Sequence, residues 1–145
     1  MKKIFFILVC VISLSVFMHS SAQTNSRNTE TELLARIVHA ESKGEPYLGQ
    51  VAVAAVILNR IDSPDFPNTL AGVIYQPGAF EPVQNGTINQ AVPKDANARK
   101  AAQEALNGYD PTGGCLYFFN PNTATSKWIW SKNIVKTIGK HHFAK

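Results

Sequence analysis

Two glutamates, Glu41 and Glu45, stand four residues apart in the stretch HAESKGEP, which covers residues 39–46. The stretch follows TELLARIV, whose apolar residues recur at the spacing of an amphipathic helix. Glu41 comes four residues after Ile37 and seven after Leu34, so the three side chains share one helical face. We therefore predict that Glu41 lies at the C-terminal end of a buried stripe.

A position of this kind changes the acidity of a carboxyl group. Burial disfavours the charged form and so does the negative end of the helix dipole, so both raise the pKa of Glu41. A carboxyl group that stays protonated near neutral pH can serve as a general acid, and glycosidases use one to protonate a leaving sugar oxygen. The alternative is that Glu41 bends into solvent or pairs with Lys43 or Arg60. For Glu45 the favoured role is to cap the next helix.

A run of aromatic residues is the second feature with chemical meaning. Five aromatic residues fall within fourteen positions and are interleaved with asparagine, serine and lysine. Sugars present apolar faces that rings can stack against and hydroxyl edges that amide and hydroxyl groups can bind. Part of the run must instead belong to the core, and the alternation in KWIW favours an extended segment. The predicted substrate-binding residues are Tyr117, Asn120, Ser126, Trp128 and, from an earlier segment, Phe80.

Glu81 is the only acid that we expect near Glu41 as a second carboxylate. A separation of ~6.5–9.5 Å would fit an inverting glycosidase, and one of ~5–5.5 Å a retaining one. No cysteine and histidine spacing matches a zinc site, and the sequence has neither a phosphate loop nor a G-x-S-x-G elbow. We expect no cofactor and no metal, although His39, His141 and Asp110 could in principle form the zinc site of an amidase.

Helices are expected to position most of these residues. The segment YLGQVAVAAVILNRI, residues 47–61, is apolar on nearly all sides and predicts a buried central helix. An alanine-rich helix is predicted within residues 93–108. Between them, Asn85-Gly86 separates two partly apolar arms and predicts a β-hairpin over residues 79–92. The predicted fold class is therefore mostly α (α+β), a helical domain with a small β-hairpin insert.

The chain has 145 residues and a net charge of +4. Residues 1–22 combine a basic start, a short apolar run and a small-residue end, which predicts a secretory signal peptide. The apolar run is shorter than the ~20 residues of a membrane span, so we expect no stable span after cleavage; an uncleaved anchor is the alternative. Residues 23–30 are a polar leader and residues 31–145 one domain. Cleavage removes Lys2 and Lys3 and lowers the charge to +2, which does not favour nucleic acid as a partner.

Four blocks of the sequence resemble the catalytic domain of the SleB-type cell wall hydrolases, the spore cortex-lytic enzymes. The blocks are LLARIVHAESKGEPYLGQVAVAAVILNR, FPNTLAGVIYQPGAF, ALNGYDPTGGCLYFFNP and TATSKWIWS, and the resemblance runs from about residue 31 to residue 143. It implies a lysozyme-like fold and cleavage of the bond between N-acetylmuramic acid and N-acetylglucosamine, typically as a lytic transglycosylase with 1,6-anhydro-muramic products. It also implies that Glu41, in the AE step that ends the first helix, is the single catalytic glutamate.

The partner that the resemblance implies is the glycan of peptidoglycan, in spore cortex during germination or in a wall under remodelling. The expected location is outside the cell, in association with wall or cortex. The spore enzyme carries a peptidoglycan-binding region before its catalytic domain, whereas a signal peptide and a leader stand there in this sequence. A general wall-remodelling role and an accessory protein therefore stay open.

Two rival functions also stay open. The first is a metal-dependent N-acetylmuramoyl-L-alanine amidase, which a chelator would inhibit. The second is a non-catalytic peptidoglycan-binding module, which would tolerate the loss of Glu41.

Overall fold

The computed structural model describes residues 23–145 of the chain, so the predicted signal peptide lies outside the described residues. The chain divides into two compact units, and the division falls after Glu30. The described part of the first unit, residues 23–30, is helical and exposed. The second unit holds the core and the sheet. In the part of the chain that the structure describes, no helix is long and apolar enough to cross a membrane.

Two consecutive helices supply nearly half of the buried apolar residues of the core. The described part of helix α1 covers residues 23–42, and helix α2 covers Tyr47–Asp62. Pro46 precedes α2 with φ −53° and ψ 153°, an extended conformation that ends the turn between the helices. Every residue from Val51 to Ile57 is at most 2% exposed. The prediction of a buried central helix is therefore confirmed, and burial outweighs the low helix propensity of its valines.

Two further helices pack around α2. Helix α3, Leu70–Ile74, begins at Thr69, whose hydroxyl accepts a hydrogen bond from the backbone N–H of Gly72 at 3.0 Å. Helix α5, Ala98–Leu106, packs extensively against α2. Small side chains line that contact and let the two helices approach closely, because α5 buries Ala98, Ala101, Ala102 and Ala105.

The predicted β-hairpin over residues 79–92 is wrong. This segment forms a short helix α4, Glu81–Gln84, and a 3-10 turn, Thr87–Asn89. The hairpin turn favoured by an Asn-Gly pair needs positive φ at both residues. Here Gly86 has φ +79°, but Asn85 has φ −92° and ends α4 instead. The pair therefore makes a turn between two helical pieces, and the arms do not pair as strands.

The sheet lies in the C-terminal third of the chain. Strands β1, Tyr117–Phe119, and β2, Ile134–Ile138, both pair antiparallel with β3, His141–Ala144, in the order β1-β3-β2. Phe143 on β3 is fully buried. The KWIW segment, expected to be extended, is a helical turn α6, Lys127–Trp130. The fold class, mostly α with a small antiparallel element, is confirmed, and the hairpin is formed by β2 and β3.

Glu45 does not cap α2, contrary to the role expected for it. No side chain caps this helix, and Glu45 Oε2 instead accepts a hydrogen bond from the backbone N–H of Lys140 at 2.7 Å. The Glu45 side chain is 7% exposed, and the same Oε2 lies 4.0 Å from Nδ1 of His141. The turn between α1 and α2 is thereby tied to the turn between β2 and β3.

Replacement of Gly139 by alanine is expected to destabilise the protein by at least ~2 kcal/mol, because a positive φ costs a residue with a Cβ about 1–3 kcal/mol. Gly139 has φ +59°, and an added Cβ would overlap Glu45 Oε2. Urea unfolding measures the change. The matched control is Gly44→Ala, since a Cβ at Gly44 meets no atom within 4 Å. Equal unfolding midpoints for the two variants would contradict the prediction.

Candidate active site

Glu41 lies in the last turn of α1 and is partly buried. Burial raises the pKa of its carboxyl group to about 7; the nearby charge of Glu81 adds to the rise, and the charge of Arg60 opposes it. The predicted rise in the pKa of Glu41 is therefore present. Among residues 23–145, no lysine or arginine forms an ion pair with Glu41 within 4 Å. The alternative in which Lys43 or Arg60 neutralises Glu41 by direct pairing does not fit this geometry.

Arg60, in the last turn of α2, is a cation that the fold buries beside Glu41. Arg60 is only 9% exposed, and its Nε donates a hydrogen bond to the carbonyl oxygen of Leu116 at 2.8 Å. Three aromatic rings surround the guanidinium carbon at 5.1, 5.4 and 5.9 Å from their centroids; they belong to Phe66, Phe80 and Tyr117. Burial lowers the pKa of Arg60, and the neighbouring Tyr117 and Glu41 oppose that effect.

Sequence reasoning assigned Arg60 only as a partner for Glu41 and missed it as a member of the site. A usable signal was present. Arg60 follows Val56 by four residues and Val53 by seven, so it ends the apolar stripe of α2 as Glu41 ends that of α1. The spacing therefore marks Arg60 as a charge at the end of a buried stripe, whereas its place near Glu41 is set by tertiary packing.

The two residues expected on the hairpin have different positions. Glu81 is the first residue of α4 and is exposed, and its charge reaches Glu41, so the structure brings the two carboxyl groups to the same site. Phe80 is only 4% exposed, and its ring packs at 6.4 Å from that of Phe118. Phe80 was expected to bind substrate, but a ring buried in the core has no free face for a sugar. It supports Arg60 instead.

Tyr117 and Trp128 form a partly exposed aromatic pair. Their ring centroids lie 5.3 Å apart in an edge-to-face arrangement, and Trp128 is 56% exposed. Nζ of Lys132 lies 4.4 Å from the Tyr117 ring centroid and 4.5 Å from that of Trp128. Tyr117 also borders Arg60, so this pair continues from the charged site onto the surface. Arg60 thus links this aromatic pair to Glu41, on which the charges of Arg60 and Glu81 act.

Asn120 and Ser126 bound the segment between β1 and α6. Asn120 Oδ1 accepts a hydrogen bond from the backbone N–H of Asn122 at 2.9 Å, so the side chain shapes the turn after β1. Ser126 occupies the cap position of α6, is exposed, and makes no capping hydrogen bond with its side chain. Of these two predicted substrate-binding residues, Asn120 has a structural role and Ser126 presents a hydroxyl group to solvent.

The zinc site of the amidase alternative is not assembled. Within residues 23–145, no group of three or more histidine, cysteine, aspartate or glutamate residues could hold a metal ion. His141 is 8% exposed and packs against the ring of Phe118 at 5.5 Å. Asp110 is occupied by hydrogen bonds from the loop that follows it and from Asn59.

The family model described as Cell Wall Hydrolase matches residues 44–144. This chain belongs to the cell wall hydrolase family. The recognition made from the four sequence blocks is therefore confirmed. The match begins three residues after Glu41 and includes Arg60 and Tyr117.

Members of the cell wall hydrolase family resemble this chain closely. This chain is 57% identical over 116 residues to the spore cortex-lytic enzyme of Bacillus cereus, a match that covers 80% of this chain and 44% of that protein. It is 52% identical over 118 residues to that of Bacillus subtilis (strain 168), covering 81% of this chain and 38% of the relative. The chain thus spans less than half the length of these curated relatives.

A solved structure of the family has the same fold. It is the catalytic domain of the germination-specific lytic transglycosylase SleB from Bacillus anthracis, with 56% sequence identity and a TM-score of 0.75. The match covers 80% of this chain and 93% of that one. At this identity and coverage, the arrangement of helices and sheet is that of the SleB catalytic domain.

Proposed function

We propose that this chain is a peptidoglycan-cleaving enzyme that cuts between N-acetylmuramic acid and N-acetylglucosamine as a lytic transglycosylase. The observation that carries the proposal is Glu41, a half-enclosed carboxyl group with a pKa of about 7. The charge of Arg60 acts on Glu41, and Arg60 borders the Tyr117 and Trp128 pair. The names of its relatives, spore cortex-lytic enzyme and lytic transglycosylase, support the same chemistry.

The reaction needs one carboxyl group that acts twice. Protonated Glu41 gives its proton to the glycosidic oxygen while the bond from that oxygen to C1 of the muramic residue breaks. The C6 hydroxyl of the same residue then forms a bond to C1, and ionised Glu41 takes the hydroxyl proton. The products are a free saccharide end and a 1,6-anhydro-muramic end. Water is not consumed, and Glu41 returns to its protonated form.

Glu81 supports a second candidate outcome, hydrolysis. Its charge already acts on Glu41, so it stands close enough to influence the same reacting centre. Because Glu81 is exposed, it could activate a water molecule as the general base of an inverting enzyme. The identity of the muramic product separates the two outcomes.

The deciding experiment is mass spectrometry of the soluble fragments from purified peptidoglycan and from spore cortex after digestion with residues 23–145. Anhydro-muramic ends are expected. Reducing muramic ends would mean that water attacks and would assign its activation to Glu81. Free peptides with intact glycan would refute the proposal in favour of an amidase, and a bound chain that releases no fragments would indicate a binding module.

Trp128→Ala is expected to raise the KM for soluble glycan fragments about tenfold with kcat nearly unchanged, because loss of one stacking ring removes roughly 1.4 kcal/mol of binding. Initial rates measured across substrate concentrations separate the two constants. The control is Trp130→Ala, whose ring is 46% exposed but packs on Phe119 at 5.0 Å and donates to the Ala124 carbonyl. An equal rise in KM for both variants would argue against a specific role of Trp128.

We also propose that residues 1–22 direct secretion as a signal peptide, that residues 23–30 are a leader, and that residues 31–145 form the catalytic domain. The proposed location is the wall or the spore cortex, where the glycan substrate lies. N-terminal sequencing of the exported protein tests the cleavage site after Ala22. Activity of the purified chain without added proteins would show that no accessory protein is required.

A further inference from the structure

Arg60 is held rigidly although no acidic side chain in the described region pairs with it within 4 Å. One of its five N–H donors is used by the Leu116 carbonyl, and the faces of three rings surround the rest of the group. Ring faces carry negative electrostatic potential and favour a cation. The guanidinium is therefore fixed by contacts that do not depend on the charge of Glu41.

A fixed cation distinguishes the two states of Glu41. Burial and the charge of Glu81 both favour the protonated carboxyl group, whereas Arg60 favours the ionised one. A buried cation without a counter-charge is unfavourable, and an ionised carboxylate nearby relieves that cost. Of the two charges that act on Glu41, only that of Arg60 becomes more favourable once Glu41 has given up its proton.

We propose that Arg60 is a positioning residue for the acid/base cycle of Glu41, because its fixed charge stabilises the carboxylate that exists between proton donation and proton recovery. This inference rests on the proposed function and deepens it. Arg60 neither loses a proton nor forms a bond during the reaction. Glu41 gives its proton to the glycosidic oxygen and takes another from the C6 hydroxyl. Between these two steps the charge of Arg60 lowers the free energy of the Glu41 carboxylate.

The same geometry assigns opposite effects to the two charged neighbours of Glu41. Removal of the Arg60 charge must make Glu41 harder to ionise, and removal of the Glu81 charge must make it easier. Lys43, two residues after Glu41, is exposed and is not among the charges that shift the pKa of Glu41. These three positions therefore provide a test variant, a variant of opposite sign and a matched control.

The experiment is a titration of the Glu41 carboxyl carbon by NMR in the chain labelled with ¹³C at the glutamate side-chain carboxyl group, without substrate. The Arg60→Met variant keeps apolar contacts with the rings and removes the charge. Its Glu41 midpoint is expected to move upward, because the variant removes the positive charge that lowers the pKa of Glu41. Arg60→Lys is expected to stay nearer the wild type, Glu81→Gln to move downward, and Lys43→Met to leave the midpoint unchanged.

The pH dependence of turnover is a second measurement, and a purely structural role of Arg60 would not shift it. In Arg60→Met, kcat is expected to fall at least tenfold and the alkaline limb of the pH profile to shift upward with the Glu41 midpoint. An unmoved Glu41 midpoint in a folded Arg60→Met or Arg60→Gln variant would overturn the inference. Loss of turnover at every pH with an unshifted limb would also overturn it and leave Arg60 a packing role.

The inference and the proposed function fail separately. The carboxyl titration needs no substrate, so it reports on the coupling between Arg60 and Glu41 by itself. A wild-type chain that releases no glycan fragments, with the titration shifted as expected, would refute glycan cleavage while keeping the electrostatic coupling. Glycan cleavage by the wild type with an unshifted titration would refute the role of Arg60 alone.

Discussion

Glu41→Gln is expected to reduce turnover on peptidoglycan by at least ~10³-fold, because general acid and base catalysis each contribute ~10²–10⁴-fold and one side chain supplies both. Glutamine has nearly the same shape as a protonated glutamate but can neither donate nor take up the proton. The fold should be unaffected, as the side chain ends a buried stripe and lies outside the fully enclosed core. Release of soluble muramic fragments measures the loss.

The control for this variant is Glu30→Gln, an exposed glutamate on the same helix, which should keep full activity. Near-normal turnover of Glu41→Gln would show that Glu41 is not the catalytic acid. The wild-type enzyme should also lose activity as pH rises through about 7, because the pKa of Glu41 is about 7 and the acid must start protonated.

The raised pKa of Glu41 also predicts how the stability of the protein depends on pH. The pKa of Glu41 is raised in the folded state to about 7, mainly by burial, so between the unfolded value and pH 7 the folded chain binds the extra proton. The free energy of unfolding therefore declines as pH rises across that window. Glu41→Gln should remove this decline and be more stable than the wild type above pH 7, which urea unfolding at pH 5 and 8 can measure.

Asp110→Ala is expected to destabilise the protein by about 2–3 kcal/mol, because it removes a partly buried carboxylate that accepts four hydrogen bonds. One carboxylate oxygen accepts from the backbone N–H and the hydroxyl of Thr112 at 2.7 and 2.6 Å. The other accepts from the N–H of Gly114 at 2.7 Å and from Asn59 on α2 at 2.9 Å. Removal of the carboxylate therefore releases the loop before β1 and leaves Asn59 Nδ2 bonded to the Cys115 carbonyl oxygen at 3.1 Å.

Urea unfolding at pH 7 measures this change, with the exposed Asp95→Ala as a control expected to lie within ~0.5 kcal/mol of the wild type. Similar midpoints for the two variants would contradict the assignment. Burial alone would raise the pKa of Asp110, but hydrogen bonds from Thr112, Asn59 and Gly114 prevail and lower it. The stabilisation is therefore present above the usual aspartate pKa and is lost as pH falls through the lower folded value, so the two variants should converge in acid.

The sequence was sufficient where a property depends on one helix. Glu41 could be placed on the apolar face of α1 because its distance from Ile37 and Leu34 fixes the face, and the rise of its pKa follows from that position. The buried character of α2 followed in the same way. The charge of Arg60 was readable by the same rule, but its ring contacts come from three separate segments.

Properties that depend on pairing between distant segments were not readable. The Asn85-Gly86 pair predicts a hairpin from local turn preference, but the sign of φ at Asn85 is set by the end of α4. Strand β1 pairs with β3, more than twenty residues further along, and no local pattern encodes that partner. The burial of Phe80 has the same origin, because its neighbours Arg60 and Phe118 come from other elements.

The order of the strands has a consequence for biosynthesis. The middle strand, β3, is the last of the three to be synthesised, and both of its neighbours precede it. Neither edge strand has a hydrogen-bonding partner until the ribosome has released residues 141–144. Tyr117, which belongs to β1, therefore reaches its place in the sheet late, and during translation the nascent chain has no sheet until β3 has emerged.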